Sequence, residues 1–154
     1  MFHHIFLIFL AFGLMGPFSS IALAQEPVYG GTLTIALSAE PPGLDPTTSP
    51  AATIKRVVHY NLLESLLRVD RKGKVVPALA KSYKVSKDGK EYTFSLQKGI
   101  TFHDGKPCTA EDVKFSFERI LDPKTAAPYR MFYEVIESVH VLDPLTVKLK
   151  LKKI

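Results

Sequence analysis

Beyond the first 24 residues, the histidines and cysteine that could bind a metal or act as a nucleophile are three widely separated histidines and one cysteine. His59, His103 and His140 share no metal-ligand spacing such as His-x-x-x-His. His103 and Cys108 are close enough in sequence to approach each other across a turn, but a turn histidine and a small buried cysteine are the simpler interpretation. The sequence therefore predicts no metal site and no cofactor.

Paired acids, nucleophile motifs and glycine-rich loops also point away from an enzyme. Glu111 and Asp112 lie in the first turn of a predicted helix, where carboxylates interact with free N–H groups and with the helix dipole. The chain has no Gly-x-Ser-x-Gly motif. Gly30-Gly31 precedes a predicted strand, whereas a phosphate-binding loop precedes a helix. We therefore predict no catalytic residue.

Composition and charge narrow the class of protein further. The 154 residues have room for one domain, and a hydrophobic content of 46% is typical of a globular protein. The formal charge of +5 comes from basic residues that are interleaved with acids in turn-like segments such as 71–74. This pattern favours solvated turns over a nucleic-acid-binding surface. A single cysteine excludes an internal disulfide framework.

Hydrophobic periodicity predicts the elements that would position a site. Period-two alternation predicts strands at residues 32–37 and 92–97, two short strands within 67–76, and a hairpin over 139–151. Apolar residues at three- and four-residue spacing predict a helix over 51–67, and residues 77–80 suggest a brief helical turn. Three prolines between positions 41 and 46 predict a loop, because they remove donors and fix φ.

A strand, a tight turn and a capped helix are predicted in close succession after residue 88. Asp88-Gly89 and Asp104-Gly105 favour turns whose residues need positive φ. Thr109 followed by Asp112 is a weak version of the capping box at a helix start. Asp122-Pro123 predicts the end of that helix. Its apolar face would use Val113, Phe117, Ile120 and Leu121.

Three motifs with fixed spacing occupy the same stretch. They are P-x-L-A-x-S from residue 77 to 82, D-G-x-x-Y-x-F-x-L from 88 to 96, and G-x-x-F-H-D-G-x-P-x-T-A-E-D-V-x-F-S from 99 to 116. With these motifs the chain resembles the family 5 extracytoplasmic solute-binding proteins, which are the oligopeptide, dipeptide and nickel receptors of ABC importers. A looser resemblance extends from about residue 29 to the end.

The resemblance implies a fold, a function and partners. The fold would be α/β (mixed α+β), the N-terminal part of a two-lobed periplasmic-binding-protein-like fold, with residues 25–154 as an incomplete N-terminal portion of the solute-binding lobe. The function would be to capture oligopeptides, dipeptides or a similar small solute, and the partner would be an ABC permease in the inner membrane. Two lobes would close around the solute by a hinge motion.

A proline-rich loop carries the site residues that the resemblance implies. Glu40, Pro41, Leu44 and Asp45 match an E-P-x-x-L-D-P segment that runs beside the ligand cleft in the family, so they are the expected ligand-binding residues. The alternative is a structural loop in which Asp45 only organises the turn before Pro46. Both interpretations stay open at the level of sequence, and the sequence does not name the solute.

Residues 1–24 are typical of a secretory signal, with an apolar run, a Gly16-Pro17 break and an Ala-Leu-Ala cleavage pattern. They predict a periplasmic product, and an uncleaved membrane anchor is the alternative. Since members of the family are several times longer, we expect a fragment with exposed strand edges that binds peptides weakly by itself. The rivals are a truncated secreted interaction module without transport function and, less favoured, an envelope hydrolase.

Overall fold

A four-stranded antiparallel sheet with a 12-residue helix packed against it forms the centre of the computed structural model, which describes residues 29–153. In chain order the elements are α1 (Ala52–Val58), β1 (Leu67–Val69), β2 (Val75–Pro77), β3 (Ala80–Val85), β4 (Glu91–Leu96), α2 (Ala110–Leu121), β5 (Ile136–Asp143) and β6 (Thr146–Leu151). Short 3-10 turns at Pro123–Thr125 and Arg130–Phe132 lie between α2 and β5. The predicted mixed α+β class is confirmed.

The chain divides into two compact units, Met1–Ile35 and Ala36–Ile154. The described residues of the first unit, 29–35, are exposed and form no helix or strand. The second unit contains the helices and strands named above. The predicted signal peptide, residues 1–24, lies outside the described residues. Neither α1 nor α2 has the length and apolarity that a helix needs to cross a membrane.

The main sheet has the strand order β3-β4-β6-β5, with each neighbouring pair antiparallel. Its two central strands place Phe94 opposite Val147 and Tyr92 opposite Leu149. β5 and β6 form the predicted hairpin, and β1 and β2 form a separate two-stranded sheet around the predicted turn. The period-two pattern therefore predicted β1, β2, β4, β5 and β6 correctly, whereas β3 was not predicted.

The hydrophobic core lies between the main sheet and α2. Leu96 and Val147 are 1% and 0% exposed, and Ala110 and Val113 of α2 are buried in the same cluster. Phe117 and Leu121 pack against this cluster, which confirms much of the predicted apolar face of α2. Burying each large apolar side chain contributes ~1.5–3 kcal/mol, so the sheet and α2 stabilise each other.

Helix α2 begins and ends where the sequence predicts. Oδ2 of Asp112 accepts hydrogen bonds from the N–H and the hydroxyl of Thr109, both at 2.8 Å. Glu111 also lies in the first turn, near the positive end of the helix dipole. At the other end the N–H of Asp122 donates to the Glu118 carbonyl at 2.8 Å, and Pro123 has no N–H with which to continue the helix.

The predicted helix over 51–67 is wrong beyond Val58. The Val58 carbonyl accepts the N–H groups of Leu62 at 3.0 Å and Leu63 at 2.9 Å. The side chain of Asn61 donates to the Val57 carbonyl at 3.1 Å. The backbone of the next residue, His59, is extended (φ −70°, ψ 120°), so the chain leaves the helix axis and these bonds close a turn instead.

Two other predicted elements are also wrong. Residues 32–37 form no strand, and Leu33 and Ile35 are 83% and 68% exposed. Alternation of apolar and polar residues shows that a segment suits a pleated surface, but a strand also needs a neighbouring strand with which to form hydrogen bonds. Residues 77–80 form no helical turn, because Pro77 ends β2 and Ala80 begins β3, where its N–H donates to the Leu66 carbonyl at 2.9 Å.

The turn at Asp104-Gly105 gives a test of backbone strain. Gly105 has φ +84°, and no atom lies within 4 Å of the position that a Cβ would occupy. We expect Gly105→Val to lower the free energy of unfolding by more than about 1 kcal/mol, because valine is strained at positive φ. The midpoint of urea denaturation measures this change.

The matched control is Gly43→Val, because Gly43 also has open space around it but no positive φ. This variant should leave the midpoint nearly unchanged. If both variants shifted the midpoint equally, surface hydrophobicity and not backbone conformation would be the cause.

Candidate functional site

A groove of about 710 Å³, here called the main groove, is formed by the proline-rich loop, the segment after α1, residues 100–103 and one side of α2. Most of its lining is apolar, and its charged members carry both signs. The charged residues are Asp45, Glu64, Arg68, Asp112 and Arg119. A mainly apolar groove with a few polar groups is the usual form of a small-molecule site.

Asp45 is the predicted site residue that the structure places in the main groove. Its Oδ1 accepts hydrogen bonds from the N–H of Thr47 at 2.8 Å and the Thr47 hydroxyl at 2.6 Å. Its Oδ2 accepts one from Nη2 of Arg119 at 2.8 Å. Asp45 thus organises the turn around Pro46 and also joins the loop to α2. This geometry is compatible with both interpretations of the loop.

The other predicted site residues lie on the same loop, outside the main groove. Glu40 is exposed, Pro41 is partly buried and Leu44 is 54% exposed. A ligand-binding role for Glu40, Pro41, Leu44 and Asp45 stays a prediction.

The hydrogen bonds of Asp45 alter its titration. The Thr47 hydroxyl lowers the pKa of Asp45 most, and the Thr47 N–H and the Arg119 guanidinium lower it further. Partial desolvation opposes these effects without cancelling them. The carboxylate is therefore charged at neutral pH and keeps its ion pair with Arg119.

His103 and Cys108 both line the main groove. Burial raises the pKa of the Cys108 thiol, and the negative charges of Asp112 and Glu64 raise it further. A thiol with a raised pKa stays protonated at neutral pH and is a poor nucleophile. Among residues 29–153 the structure has no group of three or more His, Cys, Asp or Glu side chains arranged to hold a metal ion.

Several groove residues were not predicted from the sequence. Arg119 lies 74 positions from Asp45, and no short-range pattern connects the two. Tyr60, Glu64 and Arg68 were placed on or near a long helix that the structure does not contain. A second groove, of about 600 Å³, shares Pro46, Thr47, Leu63, Glu64 and Ile120 with the main groove.

Residues 74–154 match the family model of the bacterial extracellular solute-binding proteins, family 5. The chain belongs to this family. The oligopeptide-binding protein OppA of Haemophilus influenzae is 36% identical over 112 residues, which cover 73% of this chain and 20% of OppA. The chain therefore spans about a fifth of the length of this curated relative.

Solved structures of family members support the same assignment. The murein tripeptide-binding protein MppA of Escherichia coli aligns with a TM-score of 0.70 and 30% identity, over 76% of this chain and 26% of MppA. NikZ of Campylobacter jejuni, solved with Ni(L-His), aligns with a TM-score of 0.65 and 35% identity, over 73% of this chain and 22% of NikZ. The predicted resemblance and the predicted periplasmic-binding-protein-like fold are confirmed.

The ion pair between Asp45 and Arg119 gives a prediction of pH dependence. Asp45→Asn should lower the free energy of unfolding at about pH 7 by roughly 0.5–1 kcal/mol, the range for an exposed pair. Because folding lowers the pKa of Asp45, this stabilisation is present above the unfolded pKa of about 3.9. It disappears as the pH falls through the folded pKa. Urea midpoints at about pH 7 and about pH 2.5 measure the change.

Arg119→Gln should show a smaller loss with the same sign of pH dependence, because it removes the ion pair but leaves the two hydrogen bonds from Thr47 that also lower the pKa of Asp45. Lys106→Gln is the control, since it breaks an exposed pair with Asp104 away from the loop. A difference for Asp45→Asn that stayed constant down to low pH would contradict the role of the charged pair.

Proposed function

We propose that this protein serves as the extracytoplasmic substrate-binding component of an ABC importer, or as part of one, and that its solute is a short peptide. It acts in the periplasm and delivers the captured peptide to a permease in the inner membrane. Membership of the solute-binding family supports capture of a solute. OppA and MppA are named for the peptides that they bind, which favours the peptide class.

The observation that carries the proposal is the presence of both charge signs in a largely apolar groove. Glu64 and Arg68 line the main groove, and none of the ion pairs within residues 29–153 involves either side chain. A short peptide carries an ammonium group and a carboxylate group at its ends and apolar side chains between them. The groove matches this pattern, with Arg68 suited to the carboxylate and Glu64 to the ammonium group.

Capture of the peptide then depends on a second surface that encloses it. The main groove is open to solvent on one side, so a peptide bound there stays partly exposed until a second surface covers it, as in hinge closure of two lobes. Asp45 lies in the groove, and Glu40, Pro41 and Leu44, on the same loop outside it, contact an extended peptide that continues past the groove. Main-chain hydrogen bonds would then give affinity that tolerates different side chains. The bond between Asp45 and Arg119 holds the loop in position for this contact.

The test is titration calorimetry with di- to pentapeptides on the natural full-length product purified from the cell envelope. We expect micromolar dissociation constants, which correspond to about −8 kcal/mol. No heat of binding for any peptide would contradict the proposal and would favour the secreted interaction module.

Arg68 allows a sharper prediction in the same assay. Arg68→Gln should weaken binding of peptides with a free C-terminal carboxylate by roughly 5–10-fold, because one charge-assisted hydrogen bond is lost. Binding of the same peptides with an amidated C-terminus should be unaffected. Arg71→Gln is the matched control, since Arg71 lies in the turn between β1 and β2, outside the groove lining. Equal losses for free and amidated peptides would contradict the assigned role of Arg68.

A further inference from the structure

Tyr60 has a backbone conformation that is unfavourable for its residue type. Its φ is +62°, and Ala126 is the other residue besides glycine with positive φ in residues 29–153. Bulky L-residues rarely adopt this region, because Cβ then crowds the backbone. Glycine would remove the strain. The presence of tyrosine at this position therefore indicates that its side chain has a function.

A closed set of hydrogen bonds holds Tyr60 in this conformation. Its N–H donates to the Leu63 carbonyl at 3.1 Å, while the N–H groups of Leu62 and Leu63 donate to the Val58 carbonyl. The side chain of Asn61 donates to the Val57 carbonyl at 3.1 Å. The end of α1 thus determines the backbone of Tyr60, and the direction of its side chain follows from that backbone.

The ring of Tyr60 does not contribute to the hydrophobic core. Tyr60 is 52% exposed and is absent from the core cluster. It lines the main groove and lies edge-to-face against His59, with 4.1 Å between ring centroids. Leu62, Leu63 and Phe102, each between 43% and 48% exposed, line the same groove. The strained residue therefore presents an aromatic ring within an exposed apolar surface.

We propose that Tyr60 is a specificity-determining residue whose ring stacks against an aromatic side chain of the bound peptide. The inference rests on the proposed function and refines its substrate class to peptides with an aromatic residue. An apolar surface by itself would accept many ligands, but Glu64 and Arg68 line the same groove and match the two charged ends of a short peptide. Offset or edge-to-face ring pairs favour aromatic over aliphatic side chains at such a position.

The test compares Ala-Phe-Ala with Ala-Ala-Ala by calorimetry on the natural full-length protein and its variants. Tyr60→Gly should raise the thermal midpoint, because the strain is removed, and should reduce the preference for Ala-Phe-Ala by roughly 5–10-fold. Tyr60→Phe should keep the preference, because the ring remains. Ala126→Gly is the matched control, since it relieves positive φ outside both grooves and should leave the preference unchanged.

The outcomes separate this inference from the proposed function. If the unaltered protein binds neither peptide, the proposed function fails and this inference fails with it. If both peptides bind and Tyr60→Gly keeps the same preference as the unaltered protein, the proposed function stands and the role of Tyr60 is overturned. A loss of preference in Tyr60→Gly but not in Ala126→Gly supports the inference.

Discussion

The packing of α2 against strands β5 and β6 of the main sheet is the interaction on which the rest of this structure depends. Ala110 and Val113 are buried against the strands, and the N–H of Ala110 donates to the Pro144 carbonyl at 2.9 Å. This bond joins the start of the helix to the β5–β6 turn. The N–H of Leu96 donates to the Leu145 carbonyl at 2.7 Å, so β4 is attached to the same turn. One turn thus aligns the helix with both central strands.

Because α2 is fixed in this way, its other side can form a wall of the main groove. Asp112, Ser116 and Arg119 follow one another at spacings of four and three residues, so they share a face of the helix. Asp112 also caps the helix, while Arg119 holds the proline-rich loop through Asp45. The same helix therefore stabilises the fold and positions the loop, and a change that displaced it would alter both.

The strained segment after α1 shows how local hydrogen bonds shape the groove. A longer helix over residues 51–67 would have directed Tyr60 and Glu64 along a regular surface, with Arg68 just beyond its end. Instead the helix ends at Val58, and all three residues line the main groove. Strain at a single residue is tolerated where the surrounding bonds determine its conformation, and such positions are concentrated at binding sites.

The sequence by itself determined the features that depend on neighbours a few residues apart. The alternation around Phe94, the capping pair of Thr109 and Asp112, and the positive φ of Gly105 all follow from short spacing, because each is set by local sterics or by a local hydrogen bond. The motifs from residue 77 to 116 also predicted the family correctly.

Only the tertiary structure decided that Arg119 meets Asp45, that α1 ends early and that Tyr60 lines the groove. Those outcomes depend on contacts between distant segments and on whether the chain after Val58 forms helical or turn hydrogen bonds. Hydrophobic periodicity carries no information about either.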